Sequence, residues 1–177
     1  MKRLISLIGI FLVVIIQTSF LPHLSARGSL PSILLVVVFC WSLLGDYQEA
    51  VFWAIGGGAL LDIFSSANFS VFMISLLLVV LMLYLILNTV ISFDKYYMRV
   101  WLCGLTSLIY CLLVILLPWL LYIIFSPQAK IDLSAHVFLT MLISVIVNIA
   151  AMLIIFPLLA KYQKVINEFM ASVKNRL

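Results

Sequence analysis

Residues 50–93 read AVFWAIGGGALLDIFSSANFSVFMISLLLVVLMLYLILNTVISF, and the carboxylate of Asp62 is the only charge among them. A helix that crosses a bilayer needs about 20 mostly apolar residues. The run is therefore long enough for two such helices. Ser65, Ser66 and Asn68 are turn-forming residues and supply a break between them. This reading predicts helices over 47–64 and 69–91, joined by a tight turn.

The same punctuation extends outward in both directions. Residues 4–26, 28–45, 100–129 and 133–160 carry no charge at all. They predict four more spans, over 4–21, 30–44, 100–125 and 135–160. Pro22 and the stretch 23–29 close the first span with turn residues. Pro31 suits the first turn of the second, a position that has no use for a backbone N–H. Pro118 falls inside the fifth, and 126–134 is the longest loop. The first span follows Lys2 and Arg3 as a secretory leader would, but no small-x-small cleavage site follows it, so it reads as a retained helix. The tail 161–177 is polar and basic. Tyr162, Val165, Ile166, Phe169 and Val173 recur in it at helical spacing, which predicts a short interfacial helix.

Composition agrees with this division. Of 177 residues, 67% are hydrophobic and 9% charged, against roughly 45–50% and 25% in soluble domains. That excludes a soluble enzyme, a nucleic-acid-binding module and a disordered tail. The fold class expected is all-α: a single polytopic membrane domain over 1–177 with six transmembrane helices. The net charge of +4 fits the excess of Lys and Arg in cytoplasmic loops. With the N-terminus inside, the inner segments hold Lys2, Arg3, Lys95, Arg99, Lys161, Lys164, Lys174 and Arg176, and the outer ones only Arg27 and Lys130. The expected topology is N-in/C-in.

Asp62 is the most informative residue. A carboxylate at the bilayer centre costs roughly 2.5–3.5 kcal/mol on insertion scales. Gly56, Gly57 and Gly58 precede it, and Ala54, Gly58 and Asp62 are spaced by four on one helical face. Small residues there let a neighbouring backbone come close. The face that packs tightest thus also carries the carboxylate. Its two readings are a contact with a partner protein, and a hydrogen bond to Ser65, Ser66 or a neighbouring helix that fixes the fold. Gln17 on the first span lies at a similar depth. On the sixth, Thr140, Ser144 and Asn148 are spaced by four and form a polar stripe. Such residues commonly join helices.

Nothing in the sequence calls for catalysis, a cofactor or a metal. Cys40, Cys103 and Cys111 all sit in apolar stretches and read as small buried residues. His23 and His136 have no acidic or thiol neighbours at ligand spacing and read as interfacial. A transporter needs a polar site at the midplane and a channel needs a filter, and neither is visible. By elimination the chain reads as a membrane adaptor.

The segment Leu30–Ile74 resembles the MreD family, small membrane proteins of the bacterial rod-shape system. The resemblance rests on Pro31-Ser-Ile-Leu-Leu-Val opening the second span and on Gly58-Ala-Leu-Leu-Asp62-Ile-Phe-Ser65 closing the third. Asn148, Pro157 and Lys161 fit the family's last span. Ser70 stands where the family often has a Gly. The resemblance implies a non-catalytic adaptor of peptidoglycan elongation in the bacterial cytoplasmic membrane. Its implied partner is MreC, within a complex of MreB filaments, RodA and a penicillin-binding transpeptidase. On this reading Asp62→Ala is expected to insert and fold but to assemble poorly with MreC, whereas loss of membrane accumulation would make the residue structural. MreD-like chains are similar in turn to the substrate-binding subunits of energy-coupling-factor vitamin transporters. In that alternative Asp62, Gln17, Thr140 and Ser144 would line a polar pocket.

Overall fold

The second helix is the hub of the bundle, and its surroundings explain the rest. In the computed structural model, which describes residues 2–20, 32–65, 70–89, 96–125 and 135–174, six helices are found. They are α1 (Lys2–Ile15, continued by a π-helical turn over Ile16–Phe20), α2 (Ile33–Leu43), α3 (Tyr47–Phe64), α4 (Val71–Thr89), α5 (Tyr96–Phe125) and α6 (Ala135–Lys174). Every residue from Leu34 to Ser42 on α2 is buried. It packs against each of the other five helices. The run ILLVVVFCWSL has no polar stripe, which is what a helix surrounded on all sides requires.

Around that hub α1 lies on α3, α3 on α4, α4 on α5 and α5 on α6. Leu34, Val38, Leu76, Val79, Leu83 and Val14 are fully enclosed. The outward sides are apolar too: Ile8, Phe11, Leu81, Leu85, Trp101, Ile146 and Ile154 are all exposed. A protein in water does not present such a surface, whereas in lipid it is the ordinary one. Among the described residues, Val71–Thr89, Tyr96–Leu120 and Phe138–Val165 are long and apolar enough to cross a membrane. These helices mark the chain as a membrane protein.

The turn from α2 to α3 follows directly from its residues. Gly45 adopts φ +77°, a left-handed conformation that costs glycine least. The Asp46 N–H then donates to Trp41 O and the Gly45 N–H to Ser42 O, satisfying carbonyls that the end of α2 leaves open. Asp46 also caps α3, its carboxylate accepting from the Glu49 N–H at 3.2 Å.

The structure differs from the sequence reading at the C-terminal end. Residues 161–174 do not start a new interfacial helix but continue α6, which runs unbroken for 40 residues through Pro157. At 1.5 Å per residue that is about 60 Å, twice the ~30 Å hydrocarbon thickness. The helix therefore extends well past any one bilayer core. Helix α2 is the opposite case: 11 residues rise only about 16 Å. The expected loops at 22–29 and 126–134, Pro31, the turn residues Ser66 and Asn68, and the loop charges Arg27, Lys95 and Lys130 lie outside the described residues. So do the side chains of His23, His136, Ile166, Phe169 and Val173.

Candidate functional site

Three adjacent glycines on α3 meet three different helices. Consecutive helical residues project about 100° apart, so each can serve its own neighbour. A Cβ on Gly56 would meet Ile10 Cδ1 of α1 at 3.3 Å. One on Gly57 would run into the Leu34 side chain of α2. One on Gly58 would stand 2.5 Å from Met73 Cα of α4, against backbone. Ala54, one turn before Gly58, is fully buried. The face singled out in the sequence is thus filled from inside the bundle.

Asp62, one turn past Gly58, completes the contact with α4. Its Oδ1 accepts from the Phe72 N–H at 2.9 Å and its Oδ2 from the Met73 N–H at 3.0 Å. These are first-turn donors of α4, which have no partner within their own helix. A negative group there also complements the positive end of the helix dipole. Gly58 lets the start of α4 approach, and Asp62 caps it. The spacing of four puts both tasks on one face. Ser65 Oγ donates to the backbone oxygen of Asp62, not to its carboxylate.

Gln17 and Asn148 do the equivalent work for α2 and do not bond Asp62. Gln17 Oε1 accepts from the Leu34 N–H at 3.1 Å, and Asn148 Oδ1 accepts from the Ser32 N–H at 3.0 Å. Ser32 Oγ accepts from the Leu35 N–H at 3.2 Å. Three backbone N–H groups at the start of α2 are therefore met by α6, by the π turn after α1 and by the helix's own N-cap. The π turn that carries Gln17 aims its amide across α1 onto that site. Asn148 also reaches α5, its Nδ2 donating to Ser107 Oγ at 3.4 Å.

At the opposite end Ser6 Oγ donates to Glu49 Oε2 at 2.8 Å in a buried contact between α1 and α3. Gln163 Nε2 donates to Leu44 O at 3.5 Å, and Tyr162 sets its ring edge-on to Trp41, 6.3 Å between centroids. The lower part of α6 thereby closes the end of α2.

Near the capped helix starts lies a cavity of about 390 Å³. Among the described residues Gln17, Thr18, Ser32, Ser65, Tyr110, Thr140 and Ser144 are polar residues of its lining, and Leu61, Phe72 and Met141 are among its apolar walls. Gln17, Thr140 and Ser144 are thus brought together. Asp62 does not line this cavity, and neither does Asn148. Cys111 does, while Cys40 and Cys103 are buried elsewhere as free thiols.

Several contributors went unread in the sequence. Ser32 before an aliphatic run is an N-cap signal, and Asp46 with Glu49 has the spacing of a capping box. Tyr110 carried no signal: an aromatic inside an apolar span looks like any other core residue.

No family model matches the chain, and no curated protein or solved structure matches it.

Proposed function

We propose that this chain is a six-span, N-in/C-in adaptor of the bacterial rod-shape machinery in the cytoplasmic membrane, working as MreD-like proteins do beside MreC. The observation that carries the proposal is the use made of its buried and half-buried polar groups. Asp62, Gln17, Asn148 and Ser32 are all engaged in holding helix starts. None is held against a second titratable group in the way that proton or group transfer uses such pairs. What this machinery produces is a rigid bundle with an apolar exterior, suited to seating other membrane helices. Counted over six spans, eight of the ten basic residues fall on one side, which favours the stated topology. The MreD-like segment Gly58 to Ser65 coincides with the stretch that locks α3 onto α4.

The glycine face is occupied internally, so partner docking falls to the surface left open. Helix α1 offers Leu4, Leu7, Ile8, Phe11 and Leu12 there. In the full complex MreB, RodA and the transpeptidase would be reached through MreC. A second reading, a vitamin-transporter subunit, is favoured by the cavity that gathers Gln17, Thr140 and Ser144.

A gentle affinity pull-down of the tagged protein from native membranes, read by mass spectrometry, separates the two. MreC, RodA or the transpeptidase in the eluate is the expected result. Paired ATPases with a second membrane subunit would replace the adaptor by the transporter.

A further inference from the structure

Helix α5 begins with aromatic residues on its outward side. Tyr96, Tyr97 and Trp101 are all exposed. Trp101 is 79% exposed, more than any other large apolar side chain among the described residues. It follows Tyr96 by about 7.5 Å along the helix axis. Tyr and Trp gather at the level where a membrane-spanning helix leaves the hydrocarbon, and the apolar stretch Tyr96–Leu120 starts at this end of α5.

Trp101 is also a ridge between two grooves. On its α6 side, Val100, Gly104 and Leu108 line a groove of about 360 Å³ together with Val145 and Ile149. Tyr97, Met98 and Leu102 line a second groove of about 470 Å³. Trp101 and Leu105 belong to both. Gly104 deepens the first. A Cβ there would stand 3.5 Å from Ile149 Cδ1, in ordinary contact. The glycine therefore leaves room and does not avoid a clash.

Both grooves run along a membrane span, where van der Waals packing decides what fills them. A neighbouring helix, about 10 Å across, would ride on Trp101 and leave the grooves empty beneath it. Two narrow chains fill them, one on each flank of the ridge, and meet at the level of the exposed tyrosines. The paired tails of a lipid have that form. We propose that α5 holds one diacyl phospholipid astride Trp101, with an acyl chain in each groove and the headgroup at the end of the span marked by Tyr96 and Tyr97. The site rests on membrane residence and not on the adaptor reading. A pull-down that failed to recover MreC would leave it standing.

The test uses the full chain, delipidated in detergent and read by native mass spectrometry. The probes are dioleoylphosphatidylglycerol and its single-chain counterpart, oleoyl-lysophosphatidylglycerol. One diacyl lipid per protein is expected, retained about fivefold above the lysolipid because the second chain adds its own contacts. Trp101→Ala should bring the diacyl-to-lyso ratio down by about the same factor. Comparing this ratio between variants cancels the different partitioning of the two lipids into micelles. Leu81→Ala, at an exposed position on α4, should leave it unchanged. A wild-type ratio in Trp101→Ala would overturn the proposal. So would an equal fall in Leu81→Ala, which means annular lipid only, or a protein dimer that replaces the lipid and is lost in Trp101→Ala. Trp101 lies outside the core, so its replacement should leave the melting temperature of the lipid-free protein unchanged.

Discussion

Of the two readings of Asp62, a partner contact and a fold-fixing residue, its two hydrogen bonds to α4 support the second. Removing the carboxylate leaves the Phe72 and Met73 N–H groups without their acceptors. An orphaned buried donor costs about 1–3 kcal/mol, and these two are part-buried. Asp62→Ala should therefore destabilise the protein by roughly 2 kcal/mol or more, read by thermal unfolding in detergent. Asp62→Asn keeps one acceptor oxygen and should recover at least half of that loss. If Asp62→Ala unfolded like wild type and lost only its partners, the capping role would be wrong. The sequence made Asp62 conspicuous because it stood alone. It could not name the acceptor's partners, since backbone N–H groups are the same at every position. Gln17 illustrates the same limit. Its depth suggested Asp62 as a partner, whereas the helix start it serves belongs to α2.

At the scale of elements, the glycine run is directional. Gly58→Ala puts a methyl group against Met73 backbone, which must separate α3 from α4. Gly56→Ala meets only the end of the Ile10 side chain, which can turn aside. It also removes a helix-interior glycine, worth about 0.5–1 kcal/mol. The two variants should move in opposite directions: Gly58→Ala lower by several degrees in melting temperature, Gly56→Ala equal or higher. Helix limits were legible where turn chemistry marks them. The expected span 47–64 coincides with α3, because Asp46 caps its start and Ser65 follows its last turn. The expected end of the last span at 160 falls short of the helix end at Lys174, because Lys161 and Lys164 end the apolar run and not the helix. Lys, Gln and Glu are good helix formers in water, so a change from apolar to charged residues marks a membrane boundary without ending a helix.

For the molecule as a whole, composition made membrane residence legible and the distribution of basic residues proposed its sidedness. Single cysteines introduced at Arg27 and Lys130 into a chain lacking Cys40, Cys103 and Cys111 should react with an impermeant maleimide added to intact spheroplasts. Cysteines at Lys2 and Arg176 should react only after lysis. Labelling of position 176 from outside would require an odd number of spans. The arrangement of helices about α2 was not legible, because an apolar run with no polar stripe carries no information about which neighbour lies on which side.

Helix α2 has a bearing on how the protein is made. The N–H groups at its start depend on Gln17, made before it, and on Asn148, made more than a hundred residues after it. During synthesis the centre of the bundle must therefore wait with an open backbone donor until the last helix arrives. Closure of the core therefore awaits the synthesis of α6. A ribosome that stopped short of α6 would release a product recognisable to membrane proteases by that unfinished centre.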